Sequence, residues 1–226
     1  MRVLGIETAT VVCSAAVAVE GAVRAEEEIV QRNAHAENIM RLIRAVLERG
    51  GVKPSQLDAI AVSIGPGSFT GLRIGLSVAK GLCFALEKPL VAVPTLEALA
   101  QRALESGAIA TPFILAALDA RRDEVYCQLF DARAGVLVPV GEARDLTLDG
   151  LARSLDGRAV TITGDAAAKL RAHDAFARFA PVPERYASCS ASSVAVMGEV
   201  AAAAGRFADV KSIEPVYIKE FYTTNH

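Results

Sequence analysis

Ser63-Ile64-Gly65-Pro66-Gly67-Ser68-Phe69-Thr70-Gly71-Leu72-Arg73-Ile74-Gly75-Leu76 decides how the chain is read. Ile60, Val62 and Ile64 alternate as in a strand. A Gly-Pro-Gly turn follows, and apolar residues then recur at helical spacing. The order is strand, tight turn, helix start. The glycines accept backbone geometry that other residues resist, and Pro66 fixes its own φ. Ser68 or Thr70 can cap the helix, whose free N–H groups then face the turn. Such a turn suits an anion, and it equally suits a stiff corner where two backbones approach. A Walker A loop is excluded, because no lysine lies between the turn and Lys80. The dinucleotide fingerprint fails as well, since its third glycine position holds Thr70. Residue chemistry alone favours the corner.

Working outward, the two halves of the chain repeat one pattern. Val3–Glu7, Cys13–Val19 and Ala22–Ile29 read as strands joined by turns, with Glu7 at the first turn. Phe113–Leu118, Glu124–Phe130 and Val136–Val140 repeat this, with Asp119 in the matching place. Helices are expected over Glu37–Arg49 and Leu146–Leu155. Strands follow at Ala59–Ile64 and Ala159–Thr163, each with a helix after it. Three antiparallel strands followed by alternating helices and parallel strands is the order of a ribonuclease-H-like lobe. The helix Glu97–Glu105 ends at Ser106-Gly107, which sets the lobes at 1–103 and 104–226. A C-terminal helix around Val194–Ala204 is expected to cross back to the first lobe.

The 226 residues suffice for a real core. Net charge is −2, so no global basic field recruits nucleic acid, and aromatics at 5% without Trp argue against a base-stacking platform. Hydrophobic content of 52% points either to a buried partner surface or to Ala-rich helices. Cys13, Cys83, Cys127 and Cys189 lack Cys-x-x-Cys spacing and read as buried free thiols. Glu7 follows the first apolar run too soon for a signal peptide, and no uncharged stretch has transmembrane length. A cytoplasmic protein with no membrane partner is expected.

Gly65-Pro66-Gly67-Ser68-Phe69-Thr70-Gly71-Leu72-Arg73 resembles the signature of the bacterial TsaB (YeaZ) family. Val3–Thr10 resembles that family's first strand and turn, with Glu7 where Asp is usual. Leu118–Tyr126 resembles its central hairpin, and Pro215–Lys219 its C-terminal tail. The resemblance implies an α/β fold of two ribonuclease-H-like lobes, as in the actin, sugar-kinase and Hsp70 superfamily. It implies a non-catalytic partner of TsaD in forming threonylcarbamoyl on adenosine 37 of tRNAs that read ANN codons. TsaE would be a further component, and the isolated chain would be a homodimer. Contact with tRNA would occur only within the complex. No tightly bound cofactor is implied, with ATP or ADP placed at the complex interface.

Superfamily enzymes set an acid after the first strand of each lobe to order Mg²⁺ around a nucleotide. Glu7, Asp119 and the turn glycine Gly164 occupy those places. Thr163-Gly164-Asp165-Ala166 has one glycine only, so the expectation is a degenerate cleft without independent ATP hydrolysis. The sister family TsaD carries two histidines four apart on a helix face for a metal. Here the position four after His35 is Ile39, which cannot ligate, and no metal site is expected. Ser68 and Ser77 have no histidine nearby in sequence, which weakens a peptidase reading. Arg121 and Arg122, with Arg2, Arg24 and Lys219, read as a solvated turn or a basic surface.

Gly71, Gly75 and Ala79 recur every four residues on one helix face. Glycine inside a helix costs roughly 1 kcal/mol against Ala, so the stripe implies close approach of another backbone. That backbone belongs either to a partner or to the lobe's own sheet. The earlier helix carries a wide apolar arc of Ile39, Met40, Leu42, Ile43, Val46 and Leu47. The family resemblance pairs these two helices with the equivalent pair of TsaD or of a second copy. On that expectation Ile39, Leu42, Ile43, Val46, Arg73, Gly75 and Ala79 form the partner surface. Gly65, Pro66, Gly67, Ser68, Thr70 and Gly71 form the turn.

Overall fold

Val3, Leu4 and Ile6 have no accessible surface, so the first strand is covered on both faces and sits mid-sheet. The computed structural model describes residues 1–218. In it β1 (Arg2–Glu7), β2 (Val12–Val19) and β3 (Ala22–Val30) form an antiparallel meander. After α1 (His35–Arg49) come β4 (Ala59–Ser63), α2 (Phe69–Leu86) and β5 (Leu90–Val93). Both later strands run parallel to β1, in the order β3-β2-β1-β4-β5. The helix α3 (Thr95–Glu105) leads to a second meander of β6 (Phe113–Asp119), β7 (Glu124–Asp131) and β8 (Val138–Thr147). Then follow α4 (Leu148–Leu155), β9 (Val160–Thr163), α5 (Ala167–Arg171) and α6 (Ala191–Ala203). The second sheet is ordered β8-β7-β6-β9. Beside β9, the Ala180–Val182 stretch bonds to both backbone groups of Ile162 and stands where a fifth strand would lie.

The repeat seen in the sequence is therefore a repeat of lobes. The packing does not stop at their border, however. Leu96, Leu99, Ala100 and Ala103 of α3 bury against Ile114, Ala116, Leu118 and Phe130 of the second sheet. In return α6 crosses back, and Val194 and Ala202 bury against Val3, Ala59 and Ala61 of the first.

Local chemistry sets the ends of the elements. The Ser68 hydroxyl accepts the Gly71 N–H and caps α2, and Glu87 closes that helix in the left-handed region. Thr147 caps α4 in the same way, accepting from Gly150. This corrects the expected helix at Leu146, because Leu146 is still in the sheet opposite Val125. The strand expected to end at Val140 continues through a bulge near Gly141, whose carbonyl takes the Gln128 amide at 3.1 Å.

The helices α1 and α2 cover one face of the first sheet. Ile39, Leu42, Ile43 and Val46 pack with Leu4, Ile6 and Val62 in that core. Ala79 lies in the same core, and a Cβ on Gly75 would stand 2.2 Å from the Thr8 hydroxyl oxygen. Six of the seven residues expected at the partner surface are thus buried within this chain, Ile43 at the wall of a surface groove. Their close approach is to this chain's own sheet and first turn. By length and composition α2 could cross a membrane, yet it packs through Leu72, Leu76, Ala79 and Cys83, and it carries Arg73 and Lys80.

Gly75→Leu is expected to lower folding stability by about 1–3 kcal/mol or more, because the side chain must displace Thr8. Chemical denaturation reads this as a lower midpoint. An unchanged midpoint would mean that the stripe faces outward.

Candidate functional site

The signature turn is a junction of backbones. A Cβ on Gly65 would lie 2.4 Å from the Val216 carbonyl oxygen, one on Gly67 2.4 Å from that of Ala9, and one on Gly71 2.1 Å from that of Thr8. Gly65 is also at φ +116°, outside the range that other residues adopt comfortably. Three of the turn's N–H groups are committed within the chain. Gly65 donates to the Thr95 hydroxyl at 3.1 Å and Ser68 to the Ala9 carbonyl at 2.7 Å. Gly71 donates to the Ser68 hydroxyl at 3.2 Å. Of the turn residues named from sequence, Thr70 is exposed at the start of α2, and Pro66 follows a cis bond. Carbonyl oxygens of the chain itself pack against Gly65, Gly67 and Gly71, and these three contacts make the turn a stiff corner.

The acids of the cleft are closed off in two different ways. Glu7 is fully buried, and its carboxylate accepts from the Ala9 N–H and the Ser63 hydroxyl. Burial pushes its pKa up to about 7, against the pull of those hydrogen bonds. Asp119 ends β6 half-exposed, and the Lys169 ammonium reaches it at 2.8 Å while also bonding the Glu124 carbonyl at 2.9 Å. Burial works to raise the Asp119 pKa, but Lys169 and the Arg121 N–H outweigh it and hold the carboxyl low. Asp165 accepts the Asp119 N–H at 2.8 Å, and burial raises its pKa. Gly164 serves close packing, since a Cβ there would lie on the Ala117 carbonyl oxygen at 1.9 Å. One acid is sealed, the other has a tethered cation, and the glycine is filled from behind. These residues do not fit a magnesium–nucleotide group.

The other residues singled out from sequence fall into structural places. His35 opens α1, buried, with its Nε2 2.9 Å from the Thr10 carbonyl oxygen. All four cysteines are buried free thiols, and burial raises Cys189 well above the usual thiol range. Arg121 and Arg122 are exposed at the β6–β7 turn, while Arg2 and Arg24 lie on β1 and β3 of the other sheet. Lys219 lies outside the described residues.

What the sequence reading missed is the outward side of the same helices. Arg73, Ser77, Gly81 and Ala85 recur every four residues on α2 and are all exposed. Phe84 is 87% exposed and Met40 on α1 is 51% exposed. Between the helices an open groove of about 860 Å³ is lined by Leu4, Ile43, Leu47, Leu57, Leu82 and Leu86, among others. The available signal was a second small-residue stripe, two positions on from Gly75 and Ala79.

Comparison with known proteins agrees with this architecture. The family model for TsaD, tRNA N6-adenosine threonylcarbamoyltransferase, matches residues 23–224. A solved Pseudomonas aeruginosa structure, described as an uncharacterized protein with similarity to peptidase YEAZ, superposes with a TM-score of 0.82. It is 30% identical, with 96% of this chain and 99% of that one covered. The chain belongs to the TsaB (YeaZ) family, within the wider TsaD family. The Escherichia coli tRNA threonylcarbamoyladenosine biosynthesis protein TsaB is 40% identical over 126 residues. That is 56% of this chain and 53% of the relative, so the match spans about half the relative's length. A Clostridium difficile dehydratase activator with bound ADPNP, at TM-score 0.50 and 11% identity, shares the fold alone. The fold is that of the actin, sugar-kinase and Hsp70 superfamily.

Folded Glu7 keeps its proton to higher pH than an unfolded chain does, whose value is near 4.5. The folded state therefore binds more protons between pH 4.5 and about 7, and stability falls as pH rises across that window. The whole effect is on the order of 3 kcal/mol. Denaturation from pH 4 to 8 is expected to show a steeper fall in the wild type than in Glu7→Gln, which keeps only the contributions of other raised carboxylates such as Asp165 and Glu97. Parallel curves would mean that Glu7 does not titrate there.

Proposed function

We propose that this chain is a non-catalytic partner subunit of TsaD in forming the threonylcarbamoyl group on adenosine 37 of tRNAs that read ANN codons. The names of its relatives supply the pathway, and one observation carries the partner role. The α1/α2 surface leaves Phe84 and Met40 exposed beside a groove lined mainly by apolar side chains. An apolar surface of this kind on a folded chain marks a protein contact. Gly81 points the same way. Its missing Cβ would meet nothing within 4 Å, so no packing inside the chain explains a helical glycine there. The contact is therefore centred on Met40, Ser77, Gly81 and Phe84, and Arg73, with Ile43 on the groove wall, is kept from the sequence-based set. A second copy would use the same face in the isolated homodimer, so TsaD and self-association compete.

The sealed Glu7 and the Asp119–Lys169 pair support a scaffold over an independent phosphotransferase. On this reading TsaE, tRNA and ATP or ADP are engaged by the assembled complex.

Reconstitution with TsaD, threonylcarbamoyl-adenylate and tRNA tests the role. Modification is expected only when both proteins are present. Gly81→Leu is expected to keep or raise its folding midpoint, since helix propensity improves, yet bind TsaD about tenfold to a hundredfold more weakly, by overpacking the helix contact. Steady ATP hydrolysis by the isolated chain, lost in Glu7→Ala and Asp119→Ala, would favour the enzyme reading instead.

A further inference from the structure

An exposed arginine ordinarily samples many rotamers, and fixing it costs entropy before any contact is made. Arg73 is exposed yet already fixed. Its Cζ lies 3.6 Å from the centroid of the Phe69 ring, one helical turn earlier on the same face. Its Nε donates to the Tyr217 hydroxyl at 3.1 Å, and the Tyr217 and Phe69 ring centroids are 5.1 Å apart. Tyr217 is itself anchored. The neighbouring Val216 N–H donates to the Ile64 carbonyl at 2.7 Å, and the Val216 carbonyl fits against Gly65 where no Cβ intrudes. Earlier in the tail, the Ala208 N–H donates to the Leu90 carbonyl at 2.8 Å, and Val210 and Ile213 pack onto the first core. The tail thus holds one edge of the guanidinium, and among the described residues neither Nη atom has a hydrogen-bond partner. Among the described residues no carboxylate lies within ion-pair distance of them.

We propose that Arg73 is a pre-organised receptor for a carboxylate on the partner protein, and that Tyr217 is its positioning residue. The inference rests on the partner role given above and names the chemistry of that contact. A planar guanidinium held by one edge presents its other edge as a fork, which matches a carboxylate bidentately. Because the side chain is ordered beforehand, less entropy is lost when the partner arrives. A protein carboxylate is favoured over RNA phosphate by the surroundings. Ser77, Gly81, Phe84 and Met40 on the same face are uncharged, whereas RNA binding needs cations spaced along a backbone. The groove is lined by Arg41, Arg44, Lys53 and Glu48 among mainly apolar side chains, and that mixture suits an acidic amphipathic helix better than a phosphate backbone.

The test is titration of the full-length chain against purified TsaD. Arg73→Ala and Arg73→Lys are each expected to weaken binding by at least about 30-fold, because Lys keeps the charge but loses the fork and the ring contact. Tyr217→Phe keeps the stacking and removes the hydroxyl that accepts from Arg73, so a loss of about threefold to tenfold is expected. Folding midpoints should not move, which separates positioning from stability. Wild-type protein that fails to bind TsaD would sink the partner reading itself. Wild-type binding with Arg73→Lys unchanged would overturn this inference alone. So would Glu220→Gln reproducing the Arg73 loss, since the fork would then serve the chain's own tail. Arg73→Ala that binds TsaD normally, while the complex loses tRNA affinity, would assign the fork to phosphate instead.

Discussion

Three carbonyl oxygens converge on the turn from Gly65 to Gly71, and the architecture of the first lobe depends on their being able to do so. They belong to Thr8 and Ala9 of the first hairpin turn and to Val216 of the tail, and each lies 2.1–2.4 Å from where a Cβ would stand. Glycine is the one residue that admits such contacts without moving the backbone. The result is a joint in which the ends of β1 and β4, the start of α2, the start of α3 and the tail share hydrogen bonds. The Thr95 N–H donates to the Gly65 carbonyl at 2.9 Å, and the Thr8 hydroxyl to the Gly71 carbonyl at 2.8 Å. A loop with this composition resembles a phosphate site because both uses need bare backbone. They differ in polarity. A phosphate loop turns free N–H groups to its ligand, whereas here the concave side is filled with the chain's own carbonyls.

Much of this was legible from residue pattern. The paired meanders, the strand–turn–helix at Ser63–Leu76 and the crossing of the last helix follow from period and punctuation, which are local properties. The errors arose where a tertiary partner decides the outcome. Leu146 carries both helix and strand signals, and pairing with Val125 settles it as strand. The stripe Gly71–Gly75–Ala79 does mark close backbone approach, but sequence cannot say whose backbone. The Thr8 turn of the same lobe fills it, and the exposed stripe lies nearly half a helical turn away at Arg73, Ser77 and Gly81.

The cleft shows a similar division. Acids after the first strand of each lobe were predictable from the repeat, while their environments were not. Glu7 lost its solvent because Ser63, at the end of the neighbouring strand β4, turns its hydroxyl inward. Asp119 kept its solvent and acquired a cation, because Lys169 sits one helical turn beyond Asp165 and can reach back. Neither outcome is encoded in spacing along one strand. Both depend on which element the lobe places alongside.

The joint also links the buried acid to the outer face of α2 through few bonds. Glu7 accepts the Ala9 N–H, the Ala9 carbonyl accepts the Ser68 N–H, and Ser68 caps the helix that carries Phe69 and Arg73. Each bond is worth only about 1 kcal/mol net. Ionising Glu7 in place costs on the order of 3 kcal/mol, which exceeds any one of them. The relief available to a charged Glu7 is water, and the nearest backbone that could yield to admit it is the Thr8–Ala9 turn. That turn is packed against Gly67 and Gly71, so the same two glycines that set the helix also hold the backbone beside the acid.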